Sequence, residues 1–149
     1  MQVGVGLPST IPGAQGQIIL EWACRADEGP FSSLGVLDRL VYDSYDPLIT
    51  LGAVAGVTHH VKLATTIIIG PLHNNSLLAK TAASLDALSG GRLVLGLAVG
   101  ARKEDYDASG LTIEIVESGS RNNYPHYALY GKKTTVDPKR LVTAAQTSW

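Results

Sequence analysis

Short runs of β-branched and aliphatic residues return along this chain at a near-constant interval. They occupy residues 2–7, 33–37, 61–69 and 92–99, so successive starts lie about 30 residues apart, the length of a strand with its crossover helix. Between them, residues 15–28, 47–57 and 76–88 carry apolar side chains at spacings of three and four, the helical period. The boundaries agree. Asp46-Pro47 offers an N-cap followed by proline at the first helical position, and Ser89-Gly90-Gly91 offers a glycine stop after Leu88. Alternation of this kind predicts parallel strands, and four such steps leave two architectures: an open doubly wound sheet or the N-terminal half of a (β/α)8 barrel. The third and fourth runs, "VKLATTIIIG" and "RLVLGLAVG", are apolar nearly throughout, which predicts strands covered on both faces and a sheet with no wet side.

Composition narrows the function classes. With 149 residues and 45% hydrophobic content the chain has the size and apolar share of one globular domain. Its 12 basic and 13 acidic residues are interleaved, so no basic face is offered to nucleic acid or to an anionic membrane. Cys24 is the single cysteine, which rules out a disulfide within the chain and any multi-cysteine zinc site, and fits a reducing compartment. No metal site is expected. No stretch approaches the roughly 18 apolar residues of a membrane span, and the N-terminus lacks the basic start of a signal peptide, so the expected location is the cytoplasm.

In both candidate architectures chemistry gathers at the carboxyl ends of the strands. There the chain places Pro8 and Ser9, then Asp38 and Arg39, then residues 70–75 with His73, then residues 100–105. The glycine-rich stretch from Ser89 to Gly110 is not a phosphate loop: it has neither Gly-x-Gly-x-x-Gly between a first strand and its helix nor a terminal Gly-Lys-Ser/Thr. Gly96, inside an aliphatic run, marks close packing or close approach of a ligand. Asp38 has two readings, a site carboxylate or a partner for Arg39 or Arg102. His73 is either an acid, base or substrate contact or a polar loop residue. Thr65 and Thr66 read by themselves as β-formers. Trp22 is expected to cover the outside of the fold, and "THH" at 58–60 to form a solvated turn on the opposite, stabilising end.

Several segments together resemble the N-terminal portion of the bacterial luciferase-like monooxygenase family. They are "GVGLP", "SSLGVLDRL" at 32–40, and the continuous run from Asp46 to Gly110, whose most specific block is "LAKTAASLDALSGGRLVLGLAVG" followed by "KEDYDASG". The likeness covers about residues 3–110. It implies a (β/α)8 barrel that binds FMN or the deazaflavin F420 at its C-terminal face and performs two-electron redox chemistry, or dioxygen activation, on a small organic substrate. By the same resemblance Asp38 stands where relatives place an acidic residue beside flavin or substrate. The neighbouring position, often histidine in relatives, is Arg39. Thr65, Thr66 and Ile67 occupy the segment where relatives bend the backbone behind the ring, in some through a non-proline cis peptide, whereas the residues alone predict an ordinary strand or a bulge. Gly100, Ala101 and Arg102 fall where the end of the fourth strand nears the ring and ribityl chain.

Residues 1–110 therefore read as a luciferase-like half-barrel and residues 111–149 as a non-matching tail, expected to be irregular and to mark a truncated or frame-shifted product or a fusion scar. Four strands without the rest of a barrel leave two unpaired apolar edges, which predict self-association. A non-catalytic fragment that pairs through those edges is the alternative to an oxidoreductase.

Overall fold

The computed structural model of the chain describes residues 1–111 and 134–136. Its elements are strand β1 (Gly4–Gly6), helix α1 (Gly16–Glu28), β2 (Ser33–Val36), α2 (Pro47–Ala55), β3 (Lys62–Thr65), β4 (Ile68–Ile69), a 3-10 turn (Gly70–Leu72), α3 (Asn75–Leu88), β5 (Leu93–Ala98), α4 (Lys103–Ser109) and β6 (Thr134–Val136). β1, β2, β3 and β5 lie side by side and parallel, with Val5 opposite Leu34, Leu34 opposite Leu63, and Leu63 opposite Leu93. The expected α/β architecture with a parallel sheet is present. Its helices start and stop where the local chemistry says they should. The Asp46 carboxylate accepts from the Ile49 amide at 2.8 Å with Pro47 at the first position, and Asn74 accepts from the Ser76 and Leu77 amides to open α3.

One face of the sheet carries the core. Leu34, Val36, Leu63, Leu93, Leu95 and Leu97 pack against Ile19 and Ala23 of α1, Leu51 and Val54 of α2, and Ala82 and Leu85 of α3. The residues between them, Gly35, Ala64, Val94, Gly96 and Ala98, are only partly buried, and Gly6 is exposed. The expectation of a sheet with no wet side is corrected here. These strands alternate with period two, but the intervening residues are so small and apolar that the alternation vanishes in a hydropathy reading.

The third run is not one strand, and the expectation of an ordinary strand or bulge at residues 65–67 is also corrected. The Thr66–Ile67 peptide bond is cis, and the run divides there into β3 and β4, the latter pairing Ile68 with Leu97. A side chain bridges the gap. The Thr65 hydroxyl accepts from the Gly96 amide at 2.8 Å and donates to the Gly96 carbonyl at 2.9 Å. A Cβ on residue 96 would lie 2.4 Å from the Thr65 carbonyl oxygen, so glycine is required by the approach of the neighbouring strand.

The end of the sheet where the strands begin is tied by two side chains. Asp27, near the end of α1, accepts from the amides of His59, His60 and Val61 at 2.7 to 2.8 Å, and so holds the turn that feeds β3. Arg92 donates to the carbonyls of Ala55, Thr58, Val61 and Ser89 and to the Thr58 hydroxyl. His59 and His60 project into solvent, as expected of a turn on the stabilising end, but Thr58 does not: it is buried, its hydroxyl donating to the Val54 carbonyl.

Two elements depart from the sequence reading. "KEDYDAS", which lies outside the three segments with helical spacing, forms α4, favoured by Glu104 and Asp105 in its first turn and closed by Gly110 in the left-handed conformation. β6 runs antiparallel along β5, with Leu95 opposite Val136 and Leu97 opposite Thr134, so the edge of β5 expected to be bare is covered there. The rest of the tail expected to be irregular lies outside the described residues. Among the described residues no helix is long and apolar enough to cross a membrane.

Candidate functional site

The loops that leave the strands meet at the carboxyl end of the sheet. Asp38, just beyond β2, is held from both directions: its amide donates to the Ile67 carbonyl at 3.1 Å, and its Oδ2 accepts from the Ile69 amide at 2.9 Å. The same oxygen lies 2.8 Å from His73 Nε2. The Asp38 side chain is nearly buried, at 8% exposure, while that of His73 is 27% exposed. Among the described residues Asp38 Oδ1 carries no hydrogen bond. The structure thus brings Asp38 and His73 together, although 35 residues separate them. The reading of Asp38 as a partner of Arg39 or Arg102 is corrected.

Arg39 turns instead to α4. Its Nε donates to Asp105 Oδ2 at 2.8 Å, and the other Asp105 oxygen accepts from the amides of Leu40 and Val41 at 3.0 and 2.8 Å. Asp105 is fully buried. Burial alone pushes its carboxyl upward, but the Val41 amide, the Arg39 guanidinium and the Leu40 amide outweigh that and hold it below the ordinary carboxylate range. Beside it Tyr106, also buried, donates its hydroxyl to the Val99 carbonyl. The sequence reading missed Asp105. The acidic first turn and terminal glycine of α4 announce the helix, but its buried partner comes from the loop after β2.

The remaining candidates are spread around this centre. Thr65 is buried with its hydroxyl committed to Gly96. Thr66 is exposed, its amide and hydroxyl both donating to the Val36 carbonyl, and its side chain lies over Gly35. Ile67 contributes the carbonyl that receives the Asp38 amide. Gly100 has φ of 77°, and a Cβ there would come within 2.9 Å of the Ile69 side chain, so it sits against the residue that holds Asp38. Ala101 and Arg102 are exposed, and Arg102 occupies the N-cap position of α4.

Next to this cluster, above the ends of β1 and β2, a cavity of about 390 Å³ opens toward the less buried face of the sheet. Gly6, Gly35 and Thr66 contribute to it from the strands, Leu7 and Ile11 from the first loop, and Trp22 from α1. Trp22 therefore does more than cover the outside. Among the described residues no three His, Cys, Asp or Glu side chains gather as metal ligands.

A family model for luciferase-like monooxygenases matches residues 1–121. The chain belongs to the luciferase-like monooxygenase family. The match passes Gly110, the last residue of the resemblance read from sequence, by eleven positions. A monooxygenase from Streptomyces bottropensis is 25% identical, with a TM-score of 0.70 over 79% of this chain and 39% of its own. The oxygenating constituent of 3,6-diketocamphane monooxygenase from Pseudomonas putida, solved with FMN, is 19% identical with a TM-score of 0.67, covering 99% of this chain and 38% of that one. The coenzyme F420-dependent tetrahydromethanopterin reductase from Methanopyrus kandleri is 22% identical with a TM-score of 0.65, covering 97% and 38%. The last two likenesses carry the fold, that of (β/α)8 barrel proteins, of which this luciferase-like chain has the N-terminal strands and helices. The chain spans 20% to 36% of the length of the curated relatives it matches.

Proposed function

We propose that this luciferase-like chain supplies the N-terminal part of an oxidoreductase site that uses FMN or F420 to transform a small organic substrate. The observation that carries the reading is the Asp38 carboxylate. One of its oxygens is fixed by the Ile69 amide and His73, the other is uncommitted among the described residues, and the group stands at the carboxyl end of a parallel sheet.

The surroundings fit a flat ring. A tricyclic ring needs a floor free of projecting side chains, and the less buried face of the sheet offers one at Gly6, where nothing lies within 4 Å of the place a Cβ would take. Gly100 lets the chain after β5 close over Ile69, a contact that a Cβ would block. Asp38, Thr66, Ile67, Gly100, Ala101 and Arg102 are the residues to hold the ring and its side chain, with Thr65 acting behind them by fixing the strand break. A bound flavin or deazaflavin supplies two-electron transfer. Asp38 and His73 supply the proton. With Nε2 against Oδ2, the imidazole and carboxylate form a pair that can hold a proton or pass it on, while the Ile69 amide keeps the carboxylate in place. Arg39 stands where relatives often carry histidine, and its tie to Asp105 leaves proton transfer to His73.

The test is a titration of the purified chain with FMN and with F420, following fluorescence and sedimentation together. Saturable binding by a discrete species, weakened at least tenfold in Asp38→Ala, is expected. A folded or aggregated chain that binds neither ring removes this reading in favour of a non-catalytic half-barrel.

A further inference from the structure

Two arginines hold loops in this fold, and they use their donors differently. Arg92 engages all three of its nitrogens, donating to the carbonyls of Ala55, Thr58, Val61 and Ser89 and to the Thr58 hydroxyl. Arg39 engages one. Its Nε donates to the buried Asp105 at 2.8 Å, and its Cζ lies 5.3 Å from the centre of the Tyr42 ring. Among the described residues neither Nη1 nor Nη2 has a partner, so the two amino groups of a planar fork are uncommitted. The side chain keeps 19% exposure and is open to solvent. A guanidinium tied at Nε and stacked on an aromatic ring has little rotamer freedom left to lose when a ligand arrives. The Asp105 charge does not cancel it, because that carboxylate is shared with the Leu40 and Val41 amides.

We propose that Arg39 is an oxyanion-binding residue: its Nη1 and Nη2, presented at the carboxyl end of the sheet by Asp105 and Tyr42, receive two oxygens of a carboxylate or phosphate group on a bound ligand. Parallel N–H···O bonds to such a group are charge-assisted, and the spacing of its oxygens matches the fork. The preceding residue sets the orientation. Asp38 turns its carboxylate toward Ile69 and His73, and that charge repels an anion, so a ligand that spans both residues turns its anionic end to Arg39 and its uncharged end to Asp38. The carboxylate of an organic substrate and the phosphate of a cofactor such as FMN share this chemistry. Calling either one the ligand of a redox site rests on the oxidoreductase reading, whereas the fork itself rests only on Arg39, Tyr42 and Asp105.

The experiment uses the purified full chain and follows the Arg39 Nε–H resonance, assigned through the backbone, during titration with benzoate and with benzyl alcohol as its uncharged counterpart. Benzoate is expected to shift that resonance saturably and to bind about tenfold or more tightly than the alcohol. Arg39→Lys keeps a cation for Asp105 but removes the fork, and is expected to weaken benzoate by about tenfold in ligand-observed NMR. Tyr42→Leu leaves the Asp105 bond in place and is expected to weaken it by about threefold. Circular dichroism confirms that each variant is folded, and the wild-type titration decides if one is not. A stationary resonance, equal binding of benzyl alcohol, or unchanged benzoate affinity in the folded variants overturns the proposal. FMN and riboflavin tell the two sources apart: displacement of benzoate by FMN but not by riboflavin assigns the fork to the cofactor's phosphate, and benzoate bound beside FMN assigns it to a substrate anion. Benzoate binding by a chain that takes up neither FMN nor F420 keeps the oxyanion site and removes the redox reading; flavin binding with a stationary Arg39 resonance does the reverse.

Discussion

The two ends of the sheet solve the same problem with different surpluses. At the end where strands begin, the Asp27 carboxylate receives three backbone amides, and at the opposite end the Asp105 carboxylate receives two amides and a guanidinium. Both are saturated anions that pin a loop to a helix. Asp38, also at the carboxyl end, accepts two bonds on one oxygen and keeps the other unoccupied among the described residues. The difference teaches how to separate a structural carboxylate from a reactive one: a group with both oxygens engaged holds the fold, and one with an oxygen left over can meet a ligand.

The contrast breaks first at Asp105. Asp105→Ala leaves the half-buried Arg39 and two amides unpaired, and is expected to cost about 3 kcal/mol by chemical denaturation. A loss under about 1 kcal/mol removes its structural role. Asp27 is tested by acid. Burial pushes its carboxyl upward, but the bonds from Val61, His59 and His60 bring it down to about 2 from the ordinary 3.8. Because the folded value is the lower one, its contribution is complete above about pH 4 and is lost as pH falls through 2, a change of about 2 kcal/mol. Asp27→Asn should flatten that acid limb, and an unchanged pH dependence would count against it. Gly96→Ala, which drives a Cβ into the Thr65 carbonyl, should cost about 2 kcal/mol midway between the two ends. Asp38→Asn has the smallest expected effect on stability, under about 1 kcal/mol, because it keeps the shape and gives up only charge-assisted bonds to a half-exposed histidine and an amide. A loss as large as that of Asp105→Ala would place Asp38 among the structural carboxylates.

Much of the frame was legible from local chemistry. The strand rhythm, the Asp46-Pro47 start and the glycine stop after Leu88 each depend on residues a few positions apart, and each appears where it was read. What escaped depends on distance or on size. Asp105 finds its partners 64 to 66 residues away, so no window around "KEDYDASG" contains the reason for its burial. Asp38 was singled out, yet its pairing with His73 needed the 3-10 turn after β4 to bring the imidazole back. The half-wet face of the sheet was hidden because glycine and alanine look as apolar as the leucines they alternate with. Thr65 and Thr66 favour a strand locally, and the division between β3 and β4 emerges only once Gly96 admits the Thr65 carbonyl.

The three residues of β6 have a topological effect out of proportion to their length. A strand margin possesses one row of amides and carbonyls, and on the far side of β5 that row is occupied by an antiparallel guest at Leu95 to Leu97. A closed cylinder requires a parallel neighbour in that berth. Any further strand that extends this sheet beyond β5, whether from the same polypeptide or another, must therefore evict β6 before it can dock, which turns growth at that edge into an exchange reaction with a defined leaving segment.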